Sequence, residues 1–228
     1  MPIPDLDGLL RAMRSLDDVE RAVAAAEELG RHATAEDVPL LRKLMAEGDN
    51  FFRECLGTVL AELEGPPALP FLLGLLREGR ALGRDNDALG FAVTELVSAH
   101  RGDVLPTLAT MSEADSPADR RDAAWLWGFV AEVAPVEPLL RLARDPDPAV
   151  RGAAVGALGS YPGREDVFAA LAAALGDPEE RVRIDTVSAL GYYEDRRAVE
   201  LLEPFATDDA PASVRRIAEH ALKQLRRR

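Results

Sequence analysis

Apolar side chains recur at intervals of three and four residues in successive short segments of the chain. That spacing places them on one face of an α-helix, whereas alternation of apolar and polar residues would indicate a β-strand. No segment shows such alternation. In the N-terminal half, helical segments cover 21–29, 52–60 and 88–96. The pattern therefore predicts an all-α fold.

Three segments in the C-terminal half repeat one pattern with a period of 32 residues. A weaker copy begins at Asp115 and has Arg121 at the arginine position. A fixed period with matching positions indicates a protein built from structural repeats. The matching residues of the three clear copies are Val150, Val182 and Val214, then Arg151, Arg183 and Arg215, then Leu158, Leu190 and Leu222.

Residues at the segment ends predict where helices begin and end. An Asp, often followed by Pro, opens each clear copy and is expected to cap the helix N-terminus. Gly159 and Gly191 follow the last apolar position of two helices and are expected to end them. A second helix then follows, with Pro in its first turn, where a missing N–H costs least. These prolines are Pro39, Pro70, Pro106 and Pro138.

The segment 139–159, with its Asp and Arg six residues apart, resembles the HEAT repeat. The resemblance implies a right-handed superhelical solenoid of about six HEAT-like helix pairs. It also implies that the Asp and Arg residues form a structural ladder between neighbouring repeats. The match weakens over 17–114, where the residue six positions after Asp49 is Cys55. The predicted ladder residues are Asp115, Arg121, Asp145, Arg151, Asp177, Arg183, Asp209 and Arg215.

The repeats predict a single domain over residues 1–228. It contains irregular repeats over 1–114, regular HEAT-like repeats over 115–207 and a C-terminal capping helix over 208–228. In such a stack each helix pair is stabilised by its neighbours, and the extended surface is suited to binding another macromolecule.

The HEAT resemblance places the second helices, which begin with the recurring prolines, on the concave side. Their exposed ridge is the predicted binding surface, and a solvated face without a partner is the alternative for each residue. The predicted partner-binding residues are Arg42, Leu73, Arg77, Ala109, Arg141, Ala172 and Glu203.

Acidic residues outnumber basic ones and give a net charge of −13, of which −9 lies in residues 1–114. A field of this sign repels nucleic-acid phosphates and anionic membranes and attracts basic protein surfaces. We therefore expect a locally basic protein partner, and no nucleic acid or membrane. Simple solubility is the alternative explanation of the charge. The uneven distribution predicts the selective contact in the N-terminal half, around Leu73 and the long polar turn at 77–87.

Residues suited to catalysis or metal binding are sparse and scattered. His32, His100 and His220 fall in different repeats, without His-x-x-x-His or His-Glu spacing. The HEAT-like iron hydroxylases carry repeated His-Glu pairs, whereas Glu219-His220 is reversed and solitary. Cys55 lies in an apolar register, which favours a buried structural thiol over a nucleophile. We expect no catalytic residues, metal or cofactor.

Two tryptophans require a separate interpretation, because HEAT-like alkyl-purine DNA glycosylases use Trp and Asp in a basic cleft. Asp122, Trp125 and Trp127 superficially suit that role. Residues two apart on a helix point to different sides, however, so one Trp is expected in the core and the other partly exposed. Tyr161 and Tyr193, which recur at the repeat period, are expected to pack at turns between helices.

These observations favour a non-catalytic, protein-binding adaptor or regulator. One alternative is an acidic inhibitor or immunity protein that covers a basic toxin or nucleic-acid-binding protein. A HEAT-like DNA glycosylase, which the acidic charge opposes, or a phycobilin lyase is a disfavoured alternative. The absence of a leader or long apolar run and the single Cys55 indicate a cytoplasmic protein. The preference for Arg over Lys, of which there are two, suggests a GC-rich bacterial genome.

Overall fold

The predicted helices are present in the part of the chain that the structure describes. The computed structural model describes residues 3–15, 17–84, 87–193, 195–207 and 211–227, and within these ranges it contains helices and no β-strand. The all-α prediction is confirmed. The α-helices are α1 (Leu6–Met13), α2 (Val19–His32), α3 (Val38–Glu47), α4 (Asn50–Glu64), α5 (Leu69–Ala81), α6 (Asp87–Ala99), α7 (Leu105–Ser112), α8 (Pro117–Trp127), α9 (Glu137–Leu142), α10 (Pro148–Leu158), α11 (Glu165–Ala174), α12 (Glu180–Tyr192), α13 (Arg197–Leu202) and α14 (Ala212–Leu225).

The helices form two compact units, Met1–Asp103 and Val104–Arg228. The boundary lies close to 114/115, where the sequence changes from irregular to regular repeats. In the N-terminal unit, α2, α4 and α6 pack side by side, and α3 and α5 form a second layer against them. Helix α1, which the apolar pattern did not predict, packs on α2 and α4.

The C-terminal unit repeats this two-layer arrangement. Helices α8, α10, α12 and α14 pack side by side, and α7, α9, α11 and α13 lie against them. The three repeat valines, Val150, Val182 and Val214, are at most 1% exposed. Each repeat therefore contributes an equivalent side chain to the core, which explains the period seen in the sequence.

Helix starts differ from the prediction in detail. Asp147, and not Asp145, caps α10 by accepting hydrogen bonds from the N–H groups of Ala149 and Val150. Asp145 precedes the cap and accepts from the N–H of Asp147, and Asp177 accepts from the N–H of Glu179 in the same way. The prediction of proline in the first turn is confirmed for α3, α5, α7 and α9.

The predicted role of the glycines in ending helices holds for Gly159, the C-cap residue of α10, and is wrong for Gly191. Gly191 lies inside α12, and Gly159 follows α10 with a right-handed backbone at φ −56°. A Cβ atom on Gly191 would lie 2.7 Å from the Cβ of Ala221 on α14, and one on Gly159 would lie 3.4 Å from the Cβ of Ala189. Gly191 therefore needs to be glycine because α14 approaches closely there, whereas an added Cβ on Gly159 would make an ordinary van der Waals contact with Ala189.

The aromatic residues at the repeat period pack as predicted. Trp127 is buried and donates its indole N–H to the hydroxyl of Ser112 over 2.8 Å, whereas Trp125 is half-buried. Tyr161 and Tyr193 are buried, and the hydroxyl of Tyr193 donates to the carbonyl of Arg164 over 2.6 Å. Among the described residues, no helix combines the length and apolar character required to cross a membrane.

Candidate functional site

The ladder between repeats is clearest at Arg151. Its Nε and Nη2 atoms donate to both carboxylate oxygens of Asp177, over 2.7 and 2.9 Å. Its Nη1 donates to the backbone carbonyls of Asp145 and Pro146, over 3.0 and 3.1 Å. One side chain thus joins the turn before α10 to the turn before α12, through charge-assisted, bidentate hydrogen bonds.

The preceding rung uses Arg120 and not Arg121, so this part of the ladder prediction is wrong. Arg120 donates to both carboxylate oxygens of Asp145, over 2.7 and 3.0 Å, and to the backbone carbonyl of Asp115. Arg121 instead binds the carboxylate of Asp122, its neighbour on α8. Consecutive helix residues point in different directions, so a shift of one position moves the guanidinium off the ladder.

The remaining predicted arginines, Arg183 and Arg215, occupy the equivalent position of their helices. Arg183 donates to the backbone carbonyls of Asp177 and Pro178 over 2.7 and 3.0 Å. Arg215 occupies the equivalent position of α14, four residues after the N-cap. Asp209, predicted as its partner, lies outside the described residues.

The N-terminal unit contains an equivalent arginine that the sequence search for Asp and Arg missed. Arg53 lies four residues after the N-cap of α4, as Arg120 and Arg151 do in their helices. It is buried and donates to the backbone carbonyls of Met45 and Ala46, while its Nη1 lies 3.1 Å from Oε2 of Glu78. Counting from the helix N-cap, instead of from an Asp, would have found it.

The ladder carboxylates are held in the ionised form. Burial alone would raise the pKa of Asp145, but hydrogen bonds from Arg120 and from the N–H of Asp147 lower the pKa below its usual value. The hydrogen bonds from Arg151 likewise lower the pKa of Asp177. These contacts join consecutive repeats and are largely shielded from solvent, so we expect their role to be structural.

The residues of the predicted binding ridge do not share one type of environment. Leu73 is fully buried, so its prediction as a contact residue is wrong, because α5 buries a wide arc that also includes Leu72 and Leu76. Arg42 binds both carboxylate oxygens of Glu64, over 2.6 and 2.9 Å, and its guanidinium lies 4.9 Å from the ring centroid of Phe71.

The other ridge residues lie at the surface. Arg77 and Ala172 are half-buried, and Ala109 is exposed. Arg141 is exposed and donates to Glu113 over 3.3 Å, and Glu203 is exposed and accepts from Arg226 over 2.8 Å. Several of these charged residues therefore have intramolecular partners.

An open groove of about 580 Å³ lies on the other layer of the C-terminal unit, across α8, α10 and α12. Its volume is in the range of ligand sites, but it is a trough open to solvent and not an enclosed cavity. Its lining residues are Trp125, Gly128, Phe129, Gly152, Ala153, Gly156, Ala157, Gly159, Ser160, Arg181, Asp185, Ser188, Ala189 and Tyr192.

The floor and the walls of the groove differ in chemistry. The floor, on α10, carries small residues such as Gly152 and Gly156. One wall consists of Trp125 and Phe129, whose rings meet edge to face with centroids 5.6 Å apart. Tyr192, which is 57% exposed, lies on the opposite wall. Aromatic rings around an apolar, open trough are characteristic of protein interaction surfaces.

Asp185 places a carboxylate at the edge of this groove. Nε of Arg181 lies 3.1 and 3.2 Å from its two carboxylate oxygens. A Cβ atom on Gly152 would lie 2.8 Å from Oδ2 of Asp185, so the absence of a side chain at Gly152 makes room for the carboxylate over α10. Burial raises the pKa of Asp185, although Arg181 opposes the effect.

Sequence reasoning considered Trp125 but not the groove around it. Trp125, Gly156 and Ser188 occupy equivalent positions of successive repeats, and so do Phe129, Ser160 and Tyr192. Such rows could have been found by aligning the exposed positions of α8, α10 and α12. The sequence does not reveal how deep the resulting groove is, because depth depends on how closely the helices pack.

The histidines lie apart from the groove. His32 contacts Glu28, His100 lies 3.8 Å from Asp103, and His220 contacts Gln224. The described residues contain no cluster of three or more His, Cys, Asp or Glu side chains able to hold a metal ion.

The Cys55 thiol is expected to react slowly. Burial, with help from Glu54 and Asp49, raises its pKa to about 11 from 9.0. The thiolate is the reactive form, so its population near pH 8 is reduced about 100-fold. Alkylation of the native protein by iodoacetamide at pH 8 should be correspondingly slower than in guanidinium chloride, as followed by mass spectrometry. Equal rates in the two conditions would contradict this prediction.

Stacked helix pairs joined by an Asp–Arg ladder define a helical-repeat protein. A family model of HEAT repeats matches residues 104–177 and 136–223, which together cover more than half of the chain. The chain therefore belongs to the HEAT-repeat family, and the predicted HEAT-like, all-α solenoid class is confirmed.

Solved structures with similar folds include the Escherichia coli protein YibA, which is 16% identical, with 98% of this chain and 93% of that chain covered and a TM-score of 0.50. Human deoxyhypusine hydroxylase in complex with glycerol is 19% identical, with coverages of 96% and 84% and a TM-score of 0.46. A designed armadillo repeat protein in complex with the peptide (KR)4 is 16% identical, with coverages of 97% and 99% and a TM-score of 0.45. The likeness to YibA concerns the fold alone. No curated protein matches the sequence.

Proposed function

We propose that this protein is a non-catalytic adaptor or regulator that binds a segment of a partner protein in the groove across α8, α10 and α12. The observation that carries the proposal is the open trough itself, with its small-residue floor and exposed aromatic walls. In a repeat protein, each repeat contacts only its neighbours, so little of such an outer surface is buried within the protein itself. Aromatic residues are enriched at protein–protein interfaces.

The open form of the groove favours a polypeptide over a small molecule. Sites for small ligands bury most of the ligand surface, which requires a more enclosed cavity. The charge of the groove does not favour nucleic acid either. Among the described residues that line the groove, Arg181 is the single cation, and it is paired with Asp185. A nucleic-acid surface requires unpaired cations to neutralise phosphates.

Filling the groove is expected to abolish partner binding. Gly156 is exposed on α10, and a Cβ atom there would meet no other atom within 4 Å, so a large side chain would project into the groove without disturbing the core. A partner captured from the native cell should bind the Gly156→Trp variant at least about tenfold more weakly, as measured by calorimetry with the purified partner.

Gly74 provides a matched control. It lies on α5, next to Leu73 of the predicted ridge, and a Cβ atom there would also meet no other atom within 4 Å. Gly74→Trp should leave binding unchanged. Loss of binding in Gly74→Trp, with retention in Gly156→Trp, would place the interface on the ridge and contradict the groove proposal.

The charge supports a second candidate, an inhibitor or immunity protein that covers a basic surface. A net charge of −13 would speed the encounter with a basic partner through long-range attraction. Raising the ionic strength from low to physiological values should then slow association about tenfold, with a smaller effect on dissociation. Stopped-flow kinetics with the purified partner measures both rates. An association rate that does not change with salt would indicate that the acidity serves solubility.

A further inference from the structure

We propose that Asp185 is the receptor for an arginine or lysine side chain of the bound partner segment. This inference rests on the proposed function and specifies the chemistry of its ligand. The cationic group would pair with the Asp185 carboxylate, and its aliphatic stem would lie over the small residues of α10. The rest of the segment would extend toward the aromatic wall on α8.

The first argument is the incomplete coordination of the Asp185 carboxylate. Its contact with the described residues is one nitrogen, Nε of Arg181. Asp177, by contrast, accepts from two nitrogens of Arg151 and from the N–H of Glu179. A carboxylate can accept about four hydrogen bonds, so Asp185, which lines the groove, can accept further ones.

The second argument is that the existing ion pair is weak and easily exchanged. The side chain of Arg181 is 76% exposed, whereas that of Asp185 is 23% exposed. An exposed pair with a single donor contributes little to stability, so a cation from a partner could replace Arg181 at small cost. A bidentate arginine in the shielded groove would bind the carboxylate more strongly than Arg181 does.

The third argument is the setting of the carboxylate. Gly152 leaves room for it over α10, and burial disfavours its ionised form when no partner is bound. A cation supplied by the partner would remove that penalty. The aromatic walls, Trp125 and Phe129 on one side and Tyr192 on the other, attract cations through their ring faces. The net charge of −13 also attracts a cationic group.

The two tryptophans of the chain offer a direct test, because Trp125 lines the groove and Trp127 is buried. The probe is the acetylated, amidated peptide Gly-Ala-Arg-Ala-Gly, and its control contains citrulline, which has the shape of arginine without its charge. Each is titrated to millimolar concentration into the ¹⁵N-labelled full chain. The arginine peptide should shift the Trp125 indole resonance and the amide resonances of Gly152 and Gly156, but not the Trp127 indole.

The expected result is at least tenfold weaker binding of the citrulline peptide. Asp185→Asn should weaken binding of the arginine peptide by a similar factor, whereas Glu219→Gln, an equal change of charge at an exposed site on α14, should not. Equal binding of the two peptides would overturn the proposal even if Asp185→Asn failed to fold, since that comparison uses the unaltered protein. Absence of any shift at Trp125 would overturn it too.

Failure of this inference can be distinguished from failure of the proposed function. If the partner protein loses affinity for Gly156→Trp but binds Asp185→Asn as well as the unaltered chain, the groove is the interface and Asp185 is not the receptor. If Gly156→Trp binds the partner normally, the groove itself is not the interface.

Discussion

Replacing Arg151 with alanine is expected to lower the free energy of unfolding by about 2–4 kcal/mol, because it leaves a shielded carboxylate without its partner. Arg151 supplies two hydrogen bonds to Asp177 and two to backbone carbonyls. The side chains of Arg151 and Asp177 are 14% and 10% exposed. Water can therefore replace these contacts only in part.

Denaturation by urea, followed by tryptophan fluorescence, measures this loss in the unit that contains the ladder, since Trp125 and Trp127 both lie there. Arg181→Ala is the control. It removes an equal charge from α12, but its side chain is exposed, so a change within about 0.5 kcal/mol is expected. Similar effects of the two substitutions would mean that the ladder contributes no more than a surface ion pair.

The effect of Arg151→Ala should also depend on pH. Its hydrogen bonds lower the pKa of Asp177 in the folded state. A carboxyl group with a lowered folded pKa stabilises the protein above its unfolded pKa, about 3.9 for Asp, and that contribution is lost as the pH falls toward the folded value. The difference between Arg151→Ala and the unaltered protein should therefore shrink below about pH 4.

The fold was predictable because the repeat period fixes which positions are buried. Val150, Val182 and Val214 fill equivalent places in the core, so matching letters in the sequence correspond to matching contacts. Reliance on the same regularity explains why the prediction of Arg121 as a ladder residue is wrong. There the count began from Asp115, whereas the helix begins after Ser116 and the ladder position is Arg120.

The candidate site was less predictable because it depends on three helices at once. Each of α8, α10 and α12 presents an ordinary exposed face in sequence. The groove arises where the small residues of α10, such as Gly156, lie between the larger side chains Trp125 and Tyr192. The prediction of Leu73 as a contact residue is wrong for a related reason. The helices that pack against α5, and not the position of its proline, determine which of its residues are buried.

Glycine serves different purposes in the neighbouring helices α10 and α12. Gly191→Leu is expected to destabilise the protein by about 3 kcal/mol, because overpacking a close helix contact forces backbone movement. Any side chain at Gly191 places Cβ 2.7 Å from the Cβ and 3.1 Å from the Cα of Ala221. Neither atom belongs to a flexible side chain, so α12 and α14 would have to separate.

Gly156→Leu introduces the same side chain at an exposed position of α10 where a Cβ atom meets nothing within 4 Å. There the expected change is a gain of about 0.5–1 kcal/mol, because leucine has a much better helix propensity than glycine. Urea denaturation followed by circular dichroism at about 222 nm, where helices absorb, compares the two variants. Opposite signs would show that helix packing requires the glycine at 191, whereas the glycine at 156, which lines the groove, is kept at a cost to stability. A gain in both variants would show that α14 can move away from α12 freely, and the close packing of these two helices would then not stabilise the repeat stack.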